Sequence, residues 1–247
     1  MQPFFTQLTD LIIIQLTNWR WSWRGTLITS IIAPAISTAA LGVFAGNAPN
    51  ALGYVVTGNM VLSLLFGTLG QVSGNFAYMR ANGMLDYFAT LPIYRAALII
   101  ATVMAFFVLS IPATLMTLLI GTVILHLPVA ISPLIVLVIP LITMTLAGLG
   151  ALIGLTGKTP ETVSAVSNLT TFALVSLGPI IIPAERLPEL IRVVSYLSPA
   201  TYAASALRQV VLASVEPIPL LVDVLILTAI MLLLLWLVGR RIDWRGR

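Results

Sequence analysis

Eight carboxylates, one histidine and no cysteine are all that this chain offers for acid–base, metal-binding or nucleophilic chemistry. Their spacing builds no site. His126 has no neighbour able to complete a metal site or a nucleophile–base pair, and the turn His126 to Ser132 predicts an exposed loop histidine. Without cysteine, disulfides and thiolate metal sites are excluded. Gly157-Lys158-Thr159 reproduces the end of a phosphate loop, but that pattern needs glycine where Leu152 stands and a strand before it. The tripeptide reads instead as a short turn carrying one lysine. The chain shows no ATPase, no catalytic cluster and no metal site of its own.

The charges are also absent where a carrier would need them. No Asp, Glu, Lys or Arg lies between Arg24 and Arg80, or between Arg95 and Lys158. With 8% charged and 59% apolar residues and a mean hydropathy of +1.07, such stretches belong in lipid. Six segments carry the roughly 20 apolar residues that a membrane crossing requires: Thr26 to Ala45, Ala51 to Met79, Ala96 to Leu125, Pro133 to Thr156, Thr162 to Pro183 and Ile218 to Val238. Their apolar residues run continuously and do not alternate, which excludes barrel strands. The fold expected is an all-α integral membrane protein of one domain, residues 1–247, with six transmembrane helices. Asp223 falls near the outer end of the last segment and Asp86 in a connection, so no mid-span carboxylate is left to relay ions, which disfavours a secondary carrier. Asn59, Gln71, Asn75 and Asn168 read first as hydrogen-bonding glue between helices.

Lys and Arg are retained on the cytoplasmic side. With both termini cytoplasmic, Arg20, Arg24, Arg80, Arg95, Lys158, Arg240, Arg241, Arg245 and Arg247 lie inside, and only Arg186, Arg192 and Arg208 lie outside. The basic pI of about 9.9 thus follows from topology and not from nucleic-acid binding. Residues 1–24 lack the pattern of a removable signal peptide. Phe4, Phe5, Leu8, Leu11, Ile12 and Leu16, with Trp19, Trp21 and Trp23, predict an amphipathic interfacial helix or an aromatic anchor for the first span. Gly70 with Gly74, and Gly150 with Gly154, permit close helix packing, within the chain or between copies.

Residues 80–92 are too amphipathic for a linker. Met84, Leu85, Phe88 and Leu91 recur at helical spacing, Pro92 stops the helix, and Arg80 and Arg95 hold its ends in the cytoplasm. A short helix of this kind could lay its apolar side into a groove on a soluble protein. With Arg80, Gly83, Leu85, Asp86, Pro92 and Arg95, the segment resembles the coupling helix of the ABC-2 type transporter membrane component. Asn82 and Asp86 depart from it, standing where glutamate is usual. The resemblance implies that Met84, Leu85 and Phe88 fill an ATPase groove, that Arg80 and Asp86 orient it, and that Pro92 fixes the helix end.

A second match lies at 178–208: Gly178-Pro179, Pro183, Leu187-Pro188, then Tyr196-Leu197-Ser198-Pro199 and Arg208. It resembles the family's broken hairpin, which re-enters from outside before the last span. The prolines interrupt helices in agreement with that, giving an outer segment at 184–212 with gate residues Gly178, Pro179, Pro183, Pro188 and Pro199. A plain outer loop with an interfacial helix is the simpler alternative.

The resemblance covers nearly the whole chain. It implies a multi-pass permease of a bacterial or archaeal cytoplasmic (inner) membrane, paired as a homodimer or with a similar permease. It binds two copies of a separate ABC ATPase, and ATP and Mg are cofactors of that partner, with none in this chain. The expected cargo is a hydrophobic small molecule, drug or lipid-like compound moved outward. The alternatives are polysaccharide export within the same family and a membrane scaffold anchoring a soluble complex.

Overall fold

The computed structural model describes residues 3–27, 32–45, 49–127, 129–180, 188–212 and 216–241. The elements follow in chain order as α1 (Phe4–Leu27), α2 (Ala33–Ala45) and α3 (Pro49–Leu64), which passes through a π-helical turn, Leu65–Gly70, into α4 (Gln71–Ala81). The short α5 (Met84–Thr90) comes next, then α6 (Arg95–Leu119), which ends in a second π-helical turn, Ile120–Ile124. After these come α7 (Ile135–Thr156), α8 (Pro160–Leu177), α9 (Glu189–Ser195), α10 (Pro199–Val211) and α11 (Pro217–Arg241). Among the described residues the only β pairing is an isolated bridge between Ala130 and Leu212, so the all-α class holds.

Four helices are long and apolar enough to cross a membrane: Ala51–Ala81, Ala96–Ile124, Ile135–Thr156 and Pro217–Arg240. They coincide with the second, third, fourth and sixth expected segments. The first expected segment, Thr26 to Ala45, is divided between the end of α1 and the 13-residue α2, with 28–31 outside the described residues. Helix α1 runs three residues past the expected bound at 24, to Leu27. The fifth is represented by α8, whose 18 residues give a rise of about 27 Å.

Burial sorts the bundle into two apolar clusters. One gathers Met60, Leu64, Leu69, Ile142, Leu207 and Leu227. The other gathers Leu11, Phe76, Phe88, Leu98, Leu155 and Val238. The continuous α3–α4 segment, α7 and α11 therefore run in the same sense, from the first cluster to the second, and α6 runs back. The end holding α5 is called basal below, and the end holding α10 distal. Helix α8 starts basally, where its Ser167 hydroxyl lies 2.6 Å from that of Ser73, and reaches the distal cluster with Leu174 and Val175. It thus traverses the bundle like the four longer helices. Arg80, Lys158 and Arg240 sit at the basal end and Arg192 and Arg208 at the distal end, the division expected from charge.

The two glycine pairs behave differently. A Cβ at Gly150 would collide with the backbone of Leu69, and one at Gly154 would come within 2.6 Å of the Ser73 carbonyl and 2.9 Å of Phe76 Cβ. That pair lets α7 approach α4 within one chain. Gly70 and Gly74 meet nothing within 4 Å.

Candidate functional site

The basal end is organised by a break in the backbone. At Gly83 φ is +69°, the left-handed region that favours glycine, so α4 ends there and α5 leaves in a new direction. Asn82 N–H donates to the Tyr78 carbonyl and Gly83 N–H to the Arg80 carbonyl, each at 3.1 Å, which satisfies two donors at the break. Two residues beyond Thr90 stands Pro92, which cannot continue a helix, and Leu91 is extended, with φ −83° and ψ 147°. A helix over 80–92 is therefore trimmed to Met84–Thr90. Arg80 closes α4, and Leu91 and Pro92 belong to the exit.

Within α5 the apolar residues do not share one free face. Phe88 is buried at 6% exposure in the basal cluster, and Met84 and Leu85 are half-buried against the same cluster. Docking of Phe88 into a partner's groove is thus corrected, because its ring already fills the chain's own core. The outward stripe is Asp86, Tyr87, Thr90 and Leu91, at i, i+1, i+4 and i+5, continued by Pro92. Tyr87 is 62% exposed, and it was not among the expected site residues. Its position one residue before the buried Phe88 was the available signal.

Arg80 is also employed inside the chain. Its Nη1 donates to the carbonyl of Gly157 at 2.9 Å, an orphan acceptor at the C-terminus of α7, where a cation is favoured. This ties the α4–α5 break to the turn 157–159, which joins α7 to α8. A Cβ at 157 would collide with Val163. Thr159 and Thr162 then cap α8 reciprocally with Pro160 in its first turn. Gly157-Lys158-Thr159 is therefore an interhelical turn and not a phosphate cradle. The Glu161 carboxyl beside it is held below the usual carboxylate range by its own backbone N–H and then by the Thr159 hydroxyl.

Helix α1 is fastened to this end. Gln7, Leu11 and Gln15 form its buried stripe, whereas Phe5, Ile13 and Ile14 are exposed. Gln7 Nε2 donates to the Pro92 carbonyl at 3.3 Å, and Tyr94 N–H donates to Gln7 Oε1 at 3.1 Å. Eight residues on, Gln15 Nε2 donates to Thr102 Oγ1 at 3.2 Å, while its Oε1 accepts from Asn75 Nδ2 at 3.3 Å. Equal steps of eight residues place α1 alongside the start of α6, in the same sense. Where the sequence pictured a helix lying flat in the interface, the structure packs this stretch lengthwise on the bundle.

At the distal end, Gly178 has no room for a side chain, with the Leu174 carbonyl 2.9 Å from a Cβ there. The carbonyls of Pro179 and Ile180 accept from Arg208 Nη2 at 3.4 and 3.3 Å, and the Arg208 guanidinium stacks 3.5 Å over the Tyr54 ring. Pro183 lies outside the described residues. Pro188 precedes α9, and Ser198 and Pro199 open α10. Between these helices Thr201 Oγ1 donates to the Ser195 carbonyl and Tyr202 Oη to the Tyr196 carbonyl, both at 2.7 Å. Helix α9 is largely exposed, but α10 buries Ala200, Ala203, Ala204, Ala206, Leu207, Val210 and Val211. Asp223 is buried and accepts from Gln209 Nε2 at 3.2 Å, which links α11 to α10.

Of the other polar residues, Asn59 accepts from Ser37 of α2 at 2.9 Å and Asn75 donates to Gln15 of α1, the interhelical bonding expected. Asn168 is exposed on α8, and His126 is exposed in its turn at φ 51°. Among the described residues no group of His, Cys, Asp and Glu could hold a metal ion.

A family model for the ABC-2 type transporter matches residues 6–212, from the start of α1 to the end of α10. No curated protein matches the chain.

Proposed function

The chain belongs to the ABC-2 type transporter family and is the transmembrane permease of an ABC transporter, and we propose that it serves an exporter driven by a separate ATPase that docks on α5. The observation that carries this reading is the outward stripe Asp86, Tyr87 and Thr90 on a short helix, continued by Leu91 at its exit, at the more basic end of the bundle. Backed by Phe88 in the core, the stripe offers a rigid aromatic and a carboxylate to a partner, and a load applied to it reaches the bundle directly. On this reading α5 lies in the cytoplasm, both termini are cytoplasmic, and the chain works in the cytoplasmic (inner) membrane as a dimer with two ATPase subunits holding ATP and Mg.

The cargo is read from the faces of α4 and α8, which Ser73 and Ser167 hold together. From the basal end inward, α4 exposes Tyr78 and Gly74, and α8 exposes Ser164 and Asn168 beside Leu169 and Phe172. Polar groups there face water or protein in preference to lipid. A mixed lining of this kind suits an amphiphilic or hydrophobic compound, a drug or lipid-like molecule, better than a bare ion.

The test is co-purification of the permease from nanodiscs with the ATPase expressed alongside it, comparing wild type with a Tyr87→Ala, Asp86→Arg variant. Two ATPase chains per permease pair, lost in the variant, are expected. An ATPase retained at full occupancy by the variant overturns α5 as the docking site, and a wild-type permease that recruits no ATPase turns the reading to a membrane scaffold.

A further inference from the structure

The exit of α5 is gripped by a side chain 85 positions or more away in sequence. Leu91 and Tyr94 are extended, and the Pro92 carbonyl and Tyr94 N–H between the two helices find no backbone partner. Gln7 supplies what is missing. Its amide pairs in both directions, donating to the Pro92 carbonyl at 3.3 Å and accepting from Tyr94 N–H at 3.1 Å, as a neighbouring strand would. Gln7 is only 4% exposed, so this exchange is shielded from water. The Phe4 ring adds a contact with the Tyr94 ring at 5.8 Å between centroids.

We propose that Gln7 is a positioning residue that latches the exit of α5 to α1, so that a displacement of α5 moves α1 and the start of α6 together. This rests on the reading of α5 as the ATPase dock. Three features support it. The link is bidentate, which fixes orientation as well as distance. It sits on the non-helical link between α5 and α6, where a push would otherwise be lost in bending. Its second fastening, Gln15 with Thr102 and Asn75, carries the same helix to α6 and α4 two turns deeper.

Gln15 also supplies the control, because Gln15→Leu removes buried amide bonds from the same helix without touching the α5 exit. The full permease in nanodiscs, alone and with its ATPase, is followed by hydrogen exchange for wild type, Gln7→Leu and Gln15→Leu. In the permease alone, Gln7→Leu is expected to speed exchange of the Tyr94 amide about tenfold, and Gln15→Leu to leave it unchanged. In the complex, trapping the ATPase with nucleotide is expected to alter protection along α5, α1 and residues 95–103 together in wild type and in Gln15→Leu. In Gln7→Leu the change is confined to α5. A Gln7→Leu complex whose α1 and α6 still respond as in wild type overturns the latch, as does an unchanged Tyr94 amide. If wild type itself recruits no ATPase, the docking reading fails and the transmission role falls with it, a result separable from the first because the exchange of the permease alone still reports the Gln7 contact.

Discussion

The sharpest consequence of the basal geometry is that Phe88 and Tyr87, adjacent aromatics on one short helix, answer differently to the same truncation. Phe88 is 6% exposed and packs with Phe76, Met79 and Leu98, whereas Tyr87 is 62% exposed. Truncating a buried phenylalanine removes its transfer energy and leaves a cavity, about 3–5 kcal/mol together. The Phe88 site opens at the rim, where neighbours can relax, so Phe88→Ala belongs near the low end, about 3 kcal/mol. For a chain of this size that corresponds to a fall in Tm of roughly 6–12 °C. Tyr87→Ala removes little buried area and stays within about 0.5 kcal/mol. The assay is thermal unfolding of the purified permease, followed by intrinsic fluorescence, beside capture of the ATPase. Phe88→Ala is expected to lose stability first, and Tyr87→Ala to unfold like wild type while losing the ATPase. A stable Phe88→Ala protein with lost capture, or a destabilised Tyr87→Ala protein, would refute the inward and outward assignment.

Other expectations follow from single contacts. Gly83→Ala forces a Cβ into the left-handed region and should cost about 1–2 kcal/mol, read as a lower Tm, although nothing lies within 4 Å of the added carbon. Gly154→Ala drives a methyl onto the Ser73 carbonyl and Phe76, so it should reduce folded yield in size-exclusion chromatography, whereas Gly74→Ala, open on its face, should fold normally. Glu161 titrates below the usual carboxylate range in the folded chain, so its stabilising capping contribution is complete above the unfolded value of about 4.3. It is lost as pH falls through the lower folded value. Replacing Glu161 with Gln should flatten that acid limb of stability measured between about pH 5 and pH 2, and an unaltered limb would disprove it.

The spans were legible because continuous apolar length is a property of composition, and four of the six expected segments reappear as helices of sufficient length. The short helix α5 was legible as well, since Gly83 and Pro92 punctuate it locally. What helical spacing left undetermined was where α5 ends and which side of it faces the protein: Met84, Leu85, Phe88 and Leu91 fit one stripe in projection, but the helix stops at Thr90, so Phe88 faces in while the extended Leu91 leaves the stripe and is exposed. Tertiary direction, not periodicity, decided that. The same holds for Arg80, whose use as a cap for α7 depends on residue 157. Gln7 was invisible for a similar reason. A glutamine on an amphipathic helix reads as polar surface, and only the arrival of Pro92 and Tyr94 makes it a buried partner. Conversely, Asn59 and Asn75 were readable as glue because an amide in an apolar span has few other uses.

The two apolar clusters bear on how a movement at α5 reaches α10. Phe88 lies in the basal cluster and α10 in the distal one, so no single packed core joins them. The helices that cross between them are α3–α4, α6, α7, α8 and α11. Of these, α3–α4 changes cluster at the level of Leu69 and Val72, where its π-helical turn, Leu65–Gly70, sits. A π turn loosens the regular ladder of hydrogen bonds and allows one part of a helix to rotate against the other. Opposite that level α7 presents Gly150, with no side chain between its backbone and that of Leu69. Backbone lies directly on backbone there, and the contact transmits translation without the slack of a flexible side chain. The segment that starts at Tyr54, under the Arg208 guanidinium, and ends at Arg80, beside α5, is thus a continuous element touching both candidate sites, with its joint placed between them.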